Sequence, residues 1–224
     1  MKHVVISDSF DHIDAAGSRK GRGYSAAPKR IFDLLLAFLI LPVVAPVIGV
    51  LWFLTRLDGG KGFFGHTRIG RGGTPFKCWK IRTMVPDAEA KLQHYLAENP
   101  VAAAQWVREY KLDNDPRITR IGNFLRKTSL DELPQIWNVL CGEMSFVGPR
   151  PVIEAELAKY HGSEWAYLSM RPGITRLWQV SGRNDVSYDE RVQLDVTYSR
   201  SMSLGADLRI ILKTASAVLN RTGR

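Results

Sequence analysis

The sequence predicts a mixed α/β fold, mostly helical, in a monotopic membrane protein. A re-entrant helical hairpin near the N-terminus would be followed by a compact cytosolic domain with amphipathic surface helices. Three observations predict this. A single apolar run, Ile31 to Leu54, is interrupted only by Asp33 and is about as long as a bilayer-spanning helix needs. That run carries Pro42 and Pro46 and has basic residues on both flanks. Beyond Leu57 the chain is a mosaic of short periodic pieces with no internal repeat or interdomain linker.

In chain order, residues 1–27 read as a flexible basic arm, because Gly17, Gly21, Gly23, Ser18 and Ser25 sit among Arg19, Lys20 and Arg22 with little apolar periodicity. No continuous apolar core precedes Lys29, so the arm does not read as a signal peptide. Residues 28–57 form the membrane segment. A helix apolar on every face needs lipid or protein all around it. Lys29 and Arg30 precede the run, and Arg56, Lys61, Arg68 and Arg71 follow it. Positive flanks prefer the cytoplasmic side. A helix that enters, breaks at Ala45-Pro46 and returns to the same face satisfies both flanks, and proline supplies the break by removing a backbone donor.

Residues 58–224 form the cytosolic domain. Gly72-Gly73 reads as a turn serving strands within Thr74 to Met84. Asp87 to Tyr110 is helical with a break at Asn99-Pro100; Pro134 to Leu140 and Val152 to Tyr160 are short helices. Ala206 to Leu219 is a helix capped by Ser203 or Asp207. These amphipathic pieces can lie on a membrane surface or serve as ordinary core helices. Lys and Arg number 31 against 22 Asp and Glu, a formal charge of +9, which favours an anionic partner. Cys78 and Cys141 make neither a disulfide framework nor a zinc spacing and read as buried, reduced thiols.

The densest chemistry lies between Asp113 and Pro151. Arg117, Arg126 and Arg150 have the paired donors that suit phosphate oxygens. Asp131 and Glu132 lie five residues past Arg126; a carboxylate beside a cation stays ionised and can act as nucleophile or metal ligand. Capping is the other reading. Ser129-x-x-Glu132 matches a capping box and Asp131 can cap the next helix, although Pro134 fits a helix that starts nearer Asp131 or Glu132. On spacing alone both readings stay open. Trp178-Gln-Val-Ser-Gly-Arg183 can contact a nucleotide or sugar, with Trp178 alternatively an interfacial anchor.

Five ordered blocks then carry a resemblance: Lys29-Arg30-x-x-Asp33; Lys80-Ile-Arg82-Thr-Met84; Arg126-Lys-Thr-Ser-Leu-Asp-Glu-Leu-Pro-Gln135; Phe146-Val-Gly-Pro-Arg-Pro151; and Arg171-Pro-Gly-Ile-Thr-x-Leu-Trp-Gln-Val-Ser-Gly-Arg183. From about Pro28 to the C-terminus the chain resembles the small monotopic phosphoglycosyl transferases, bacterial enzymes that initiate exopolysaccharide and glycan assembly. The resemblance implies a catalytic domain that moves sugar phosphate from a UDP-sugar to undecaprenyl phosphate and releases UMP by a ping-pong mechanism. It implies Asp131 as the nucleophile holding the phosphosugar, Glu132 helping to bind Mg²⁺ with Asp131 beside it, and Arg126 and Arg150 on phosphate. Lys80 and Arg82 match a further family motif and would line the same site; Arg117, by its guanidinium, and Arg183, from the Trp178 stretch, are the other expected phosphate- or nucleotide-binding residues. It also implies a re-entrant helix; the family's usual Ser-Pro break is Ala45-Pro46 here, so the hairpin would lean harder on proline. The context Asn184-Asp-Val-Ser-Tyr188 most resembles starters that move galactose phosphate, with glucose next. Membrane lipid and downstream glycosyltransferases are the implied partners, the cytosolic face of the bacterial inner membrane the implied location, and nucleic acid is not expected. The rival reading is a non-catalytic membrane scaffold of a polysaccharide assembly complex.

Overall fold

The computed structural model describes residues 24, 27–109, 111–181 and 186–219. Apart from Tyr24 and Ala27, the predicted basic arm lies outside the described residues, as does Arg183. The described chain is mostly helical, with two two-stranded sheets, and divides into two compact units. The first draws on Met1–Pro42, Gly65–Trp79 and Gln135–Gly223, and the second on Val43–Phe64 and Lys80–Pro134.

Helix α1 (Ala27–Arg56) contributes its first half to one unit and its second half to the other. It runs through Pro42 and Pro46 as one helix, where the sequence predicts two arms separated at Ala45-Pro46. Each proline deletes only its own donor, so the chain can stay helical across the site. Only 11% of the most apolar 18-residue stretch of α1 is buried, so the described residues leave most of it uncovered. Leu35, Phe38, Leu39 and Val43 are exposed apolar side chains that water does not favour.

Strands β1 (Phe63–Ile69) and β2 (Pro75–Ile81) pair across a short turn, Arg71–Gly73. Gly72 (φ 70°) and Gly73 (φ 83°) adopt the left-handed backbone that glycine tolerates without cost. The predicted turn is in place, but its first strand lies before it rather than within Thr74 to Met84.

In the first unit, three residues near the start of α1 reach residues far along the chain. The Lys29 ammonium lies 2.6 Å from Asp207 on α10 (Leu204–Leu219), both side chains being buried. Arg30 donates to the carbonyls of Val139 and Leu140, at the C-terminal end of α5 (Gln135–Cys141), where partial negative charge collects. Asp33 accepts from Ser145 Oγ and Phe146 N–H on β3 (Ser145–Val147). Strand β3 pairs in parallel with β4 (Gly173–Thr175), Ser145 opposite Gly173 and Val147 opposite Thr175. The ladder continues as Gly148 N–H to Thr175 O and Gly173 N–H to Pro149 O. A Cβ on Gly173 would strike Gly148 N, and one on Gly148 would strike Arg171 O, so the two backbones touch. Val152, Tyr160, Tyr167 and Val192 form the buried core beside α6 (Glu154–Leu157), α7 (Glu164–Ser169) and α9 (Tyr188–Ser201). Helix α9 starts at a capping box made by Ser187 and Glu190. Ser203, not Asp207, caps α10, since its Oγ accepts Ala206 N–H. Cys78 is buried, but Cys141 at the end of α5 is exposed, against the sequence expectation.

In the second unit Leu51, Ile81 and Leu125 form a core with Ile48, Trp52, Ile121, Leu130 and Leu133 around it. Helices α2 (Ala88–Glu98) and α3 (Pro100–Glu109) break at Asn99-Pro100 as predicted, with proline at the first position of α3, where its missing donor is tolerated. Helix α4 (Arg120–Thr128) is capped by Thr119, whose Oγ1 accepts Gly122 N–H at 2.9 Å, and ends where Ser129 turns left-handed at φ 57°.

The Lys29–Asp207 pair yields a stability prediction. Lys29→Met leaves Asp207 buried with, among the described residues, the Tyr24 and Tyr198 hydroxyls as its side-chain donors. Removing one partner of a buried pair typically costs about 3–5 kcal/mol, and replacing both by apolar residues costs much less. Thermal unfolding in detergent should therefore place Lys29→Met well below wild type and the Lys29→Met/Asp207→Leu double variant above the single one.

Candidate active site

The second unit brings Lys80, Asp131 and Glu132 together. Lys80 projects near the end of β2, held by the Ile81 core. The two carboxylates sit on a 3-10 turn, Leu130–Glu132, that follows α4 directly. Ser129 in the left-handed region reverses the chain between them and Arg126. Lys80 Nζ is 2.6 Å from Glu132 Oε1 and 3.5 Å from Asp131 Oδ2. Asp131 is 7% exposed. Burial is the main cause that raises its pKa above the ordinary carboxylate range; Lys80 opposes this, Glu132 adds to it, and Arg126 opposes it weakly.

The capping alternative does not survive for Ser129, whose side chain makes no cap bond. Helix α5 starts at Gln135, after Pro134, so the carboxylates precede it on a separate turn.

Arg126 belongs to the same unit. Its Nε donates to Thr83 Oγ1 at 2.9 Å. Thr83 is itself fixed, its carbonyl accepting Thr119 N–H, and a Cβ on Gly122 would strike that carbonyl. Thr83 went unassigned in the sequence because a hydroxyl that orients an arginine 43 residues away has no local signal.

Arg82 and Arg117 are engaged by the protein itself. Arg82 donates to the carbonyls of Thr55, Lys61 and Met84 and to both oxygens of Asp58, clamping the loop after α1. Arg117 forms a two-pronged pair with Asp115, at 2.9 Å from Nε to Oδ1 and 2.7 Å from Nη2 to Oδ2, and lies over the Trp106 ring. Asp115 is held below its ordinary range by this arginine despite burial. Neither guanidinium therefore presents an open fork.

Arg150 lies in the first unit, its side chain 41% exposed, with Nη1 3.3 Å from Glu156 Oε1. Trp178, in α8 (Leu177–Ser181), is 9% exposed, with the guanidiniums of Arg176 and Arg191 over its ring at 5.4 and 4.7 Å from the centroid. A ring this buried does not fit an interfacial anchor, and its cation contacts are with the chain's own arginines. Ala45 and Pro46 are exposed on α1.

A family model described as bacterial sugar transferase matches residues 24–221. The chain is 54% identical over 195 residues to the UDP-galactose-lipid carrier transferase of Erwinia amylovora, an alignment covering 87% of this chain and 41% of that protein. It is 50% identical over 219 residues to the exopolysaccharide production protein ExoY of Rhizobium meliloti, covering 97% of each. It is 37% identical over 201 residues to the UDP-glucose:undecaprenyl-phosphate glucose-1-phosphate transferase of Escherichia coli, covering 86% of this chain and 40% of that protein. The chain thus spans about four tenths of the length of the Erwinia and Escherichia relatives. The family match covers the carboxylate turn, and the chain belongs to the bacterial sugar transferase family.

Proposed function

We propose that this chain transfers the sugar phosphate of a UDP-sugar to undecaprenyl phosphate, with Asp131 as nucleophile. The observation that carries the reading is the buried Asp131 carboxylate, paired to the Lys80 ammonium next to Glu132 on one rigid turn. A carboxylate oxygen of Asp131 attacks the sugar-side phosphorus of the diphosphate, the bond from that phosphorus to the bridging oxygen breaks, and UMP leaves. A phosphate oxygen of the lipid then attacks the same phosphorus, the bond to Asp131 breaks, and the carboxylate is restored. Phosphoryl transfer of this kind needs charge neutralisation and positioning more than covalent machinery. Arg126, held by Thr83, supplies fixed positive charge beside the turn. Galactose phosphate is the favoured group, since the 54% identical relative is named for UDP-galactose and the 37% identical one for UDP-glucose.

The residues present suit Mg²⁺. Asp131 and Glu132 offer two hard carboxylates, and the Glu132 side chain is 29% exposed. Among the described residues no cluster of three or more His, Cys, Asp or Glu forms a protein cage; Mg²⁺ characteristically uses one or two carboxylates and completes its shell with phosphate oxygens and water. Bound there it would neutralise diphosphate charge. Lys80 holds Glu132 at 2.6 Å and would keep that carboxylate oriented.

The same reading makes α1 re-entrant, a helix that stays helical through Pro46 but bends there and returns to the cytosolic face of the bacterial inner membrane, where downstream glycosyltransferases would take up the lipid-linked product. Lys29, Arg30 and Asp33 bond to Asp207, Val139, Leu140, Ser145 and Phe146, all of which follow α1 in the chain. Thr55 and Asp58, at the other end, bond to Arg82. Among the described residues α1 alone is long and apolar enough to cross a membrane. A straight span would therefore separate Lys29 and Asp33 from their partners by a bilayer.

Two predictions follow from this reading. In a Cys141→Ser background, cysteines placed at the exposed Ala27 and Lys61 should both react with an impermeant thiol reagent only from the cytosolic side; labelling from opposite sides would overturn the hairpin. Asp131→Asn should abolish turnover by on the order of 10⁴-fold or more, and incubation with UDP-galactose alone should leave a phosphosugar adduct on the Asp131 peptide of wild type and none on the variant. Because the folded-state pKa of Asp131 is raised, its ionised form costs stability at neutral pH and its protonated form does not. The Asn variant should therefore unfold at a higher temperature than wild type at neutral pH, with the gap narrowing as pH falls through the raised pKa toward the ordinary carboxylate range. An active or destabilised Asn variant would argue against the assignment.

A further inference from the structure

One charged cluster of the first unit is out of balance. Arg68 on β1 and Arg150 share a single carboxylate, Glu156 on α6: Arg150 Nη1 lies 3.3 Å from Oε1 and Arg68 Nη1 3.6 Å from Oε2. Two guanidiniums on one carboxylate leave one positive charge in excess. Both contacts are longer than the fork between Arg117 and Asp115, which measures 2.7 and 2.9 Å. Burial is the main cause that lowers the Arg68 pKa, and the neighbouring Arg150 charge adds to it.

The backbone keeps these like charges together. Ile69 N–H, next to Arg68, donates to Val152 O at 2.9 Å. The Tyr167 hydroxyl, on a fully buried side chain, accepts Val152 N–H at 3.2 Å and donates to Ile69 O at 2.5 Å. The segments carrying the two arginines are thus clamped side by side. Glu156, the carboxylate they share, sits on a four-residue helix with its side chain 24% exposed and accepts a further bond from Ile153 N–H at 3.3 Å. Two neighbouring cations that share one carboxylate are the arrangement of an anion site whose occupant is part of the chain.

We propose that Arg68, together with Arg150, binds a phosphate group of one of the two substrates, and that Glu156 is the resident anion which that phosphate displaces. The inference rests on the reading of the chain as a phosphosugar transferase, which supplies two phosphate sources, the nucleotide donor and the polyprenyl phosphate.

Equilibrium binding of two probes to the full chain in detergent tests it: UDP for the donor side and a polyprenyl phosphate in micelles for the acceptor side. Arg68→Gln should weaken one probe about 10–100-fold, the loss expected of a charge-assisted hydrogen bond. Arg68→Lys should recover part of that loss. Glu156→Gln should change the same probe in the opposite direction, tightening it, because the amide keeps the Ile153 contact but no longer competes as an anion. The probe that responds identifies the substrate. Unchanged affinities for both probes in Arg68→Gln, or weaker binding in Glu156→Gln, would overturn the proposal, since a purely structural ion cluster gives the two substitutions the same sign or none. Thermal unfolding accompanies each variant; should Arg68→Gln fail to fold, the sign of the Glu156→Gln effect decides alone. The adduct assay on wild type is a separate readout: its failure with every UDP-sugar would sink the transferase mechanism while the binding pattern still reports on Arg68 and Glu156.

Discussion

Two carboxylates on consecutive residues, one of them buried, repel each other and resist ionisation unless a cation stands close by. Lys80 is that cation, 2.6 Å from one and 3.5 Å from the other. Much of the second unit serves this contact. Leu51, Ile81 and Leu125 fix β2 against α4 and the second half of α1, so that Lys80 meets the turn after α4. The left-handed Ser129 brings Asp131 round to face β2 at a conformational cost of about 1–3 kcal/mol. Thr83, three residues past Lys80, orients Arg126 beside the same turn.

The arginines of the molecule divide by what they bond. Arg82 and Arg117 spend their donors on carboxylates and carbonyls of the protein, and act as joints: one closes the loop after α1, the other the approach to α4. Arg30 does the same for the end of α5. Arg126 and Arg150 make fewer and, for Arg150, longer bonds within the described residues. Planar five-donor groups suit both tasks, so residue type alone does not separate a joint from a ligand-binding arm.

That division explains what was legible in the sequence. Local signals carried through: the apolar length of α1, the Gly72-Gly73 turn, the Asn99-Pro100 break and the extent of α10 all rest on steric or periodic rules that act within a few residues. Adjacency of Asp131 and Glu132 was legible for the same reason. Long-range pairing was not. Asp58 lies 24 residues before Arg82 and Asp207 178 residues after Lys29, and nothing in their neighbourhoods marks them as partners. Nothing near Glu156 in the chain marks it as the shared partner of Arg68 and Arg150. Nor did the sequence mark Trp178 as a buried ring carrying the guanidiniums of Arg176 and Arg191, which lie on either side of it in the chain.

The contact of Gly148 with Gly173 limits how this chain can vary. Most core contacts drift by exchange: one side chain shrinks, its neighbour grows, and total volume is kept. Here each partner already has no side chain, and each would drive a Cβ into backbone atoms of the other strand. Neither can compensate for the other, because neither has anything left to remove. Across descendants of this sequence the two positions should therefore stay fixed independently instead of changing as a pair, and a search for correlated substitutions would be blind to one of the tightest contacts in the molecule.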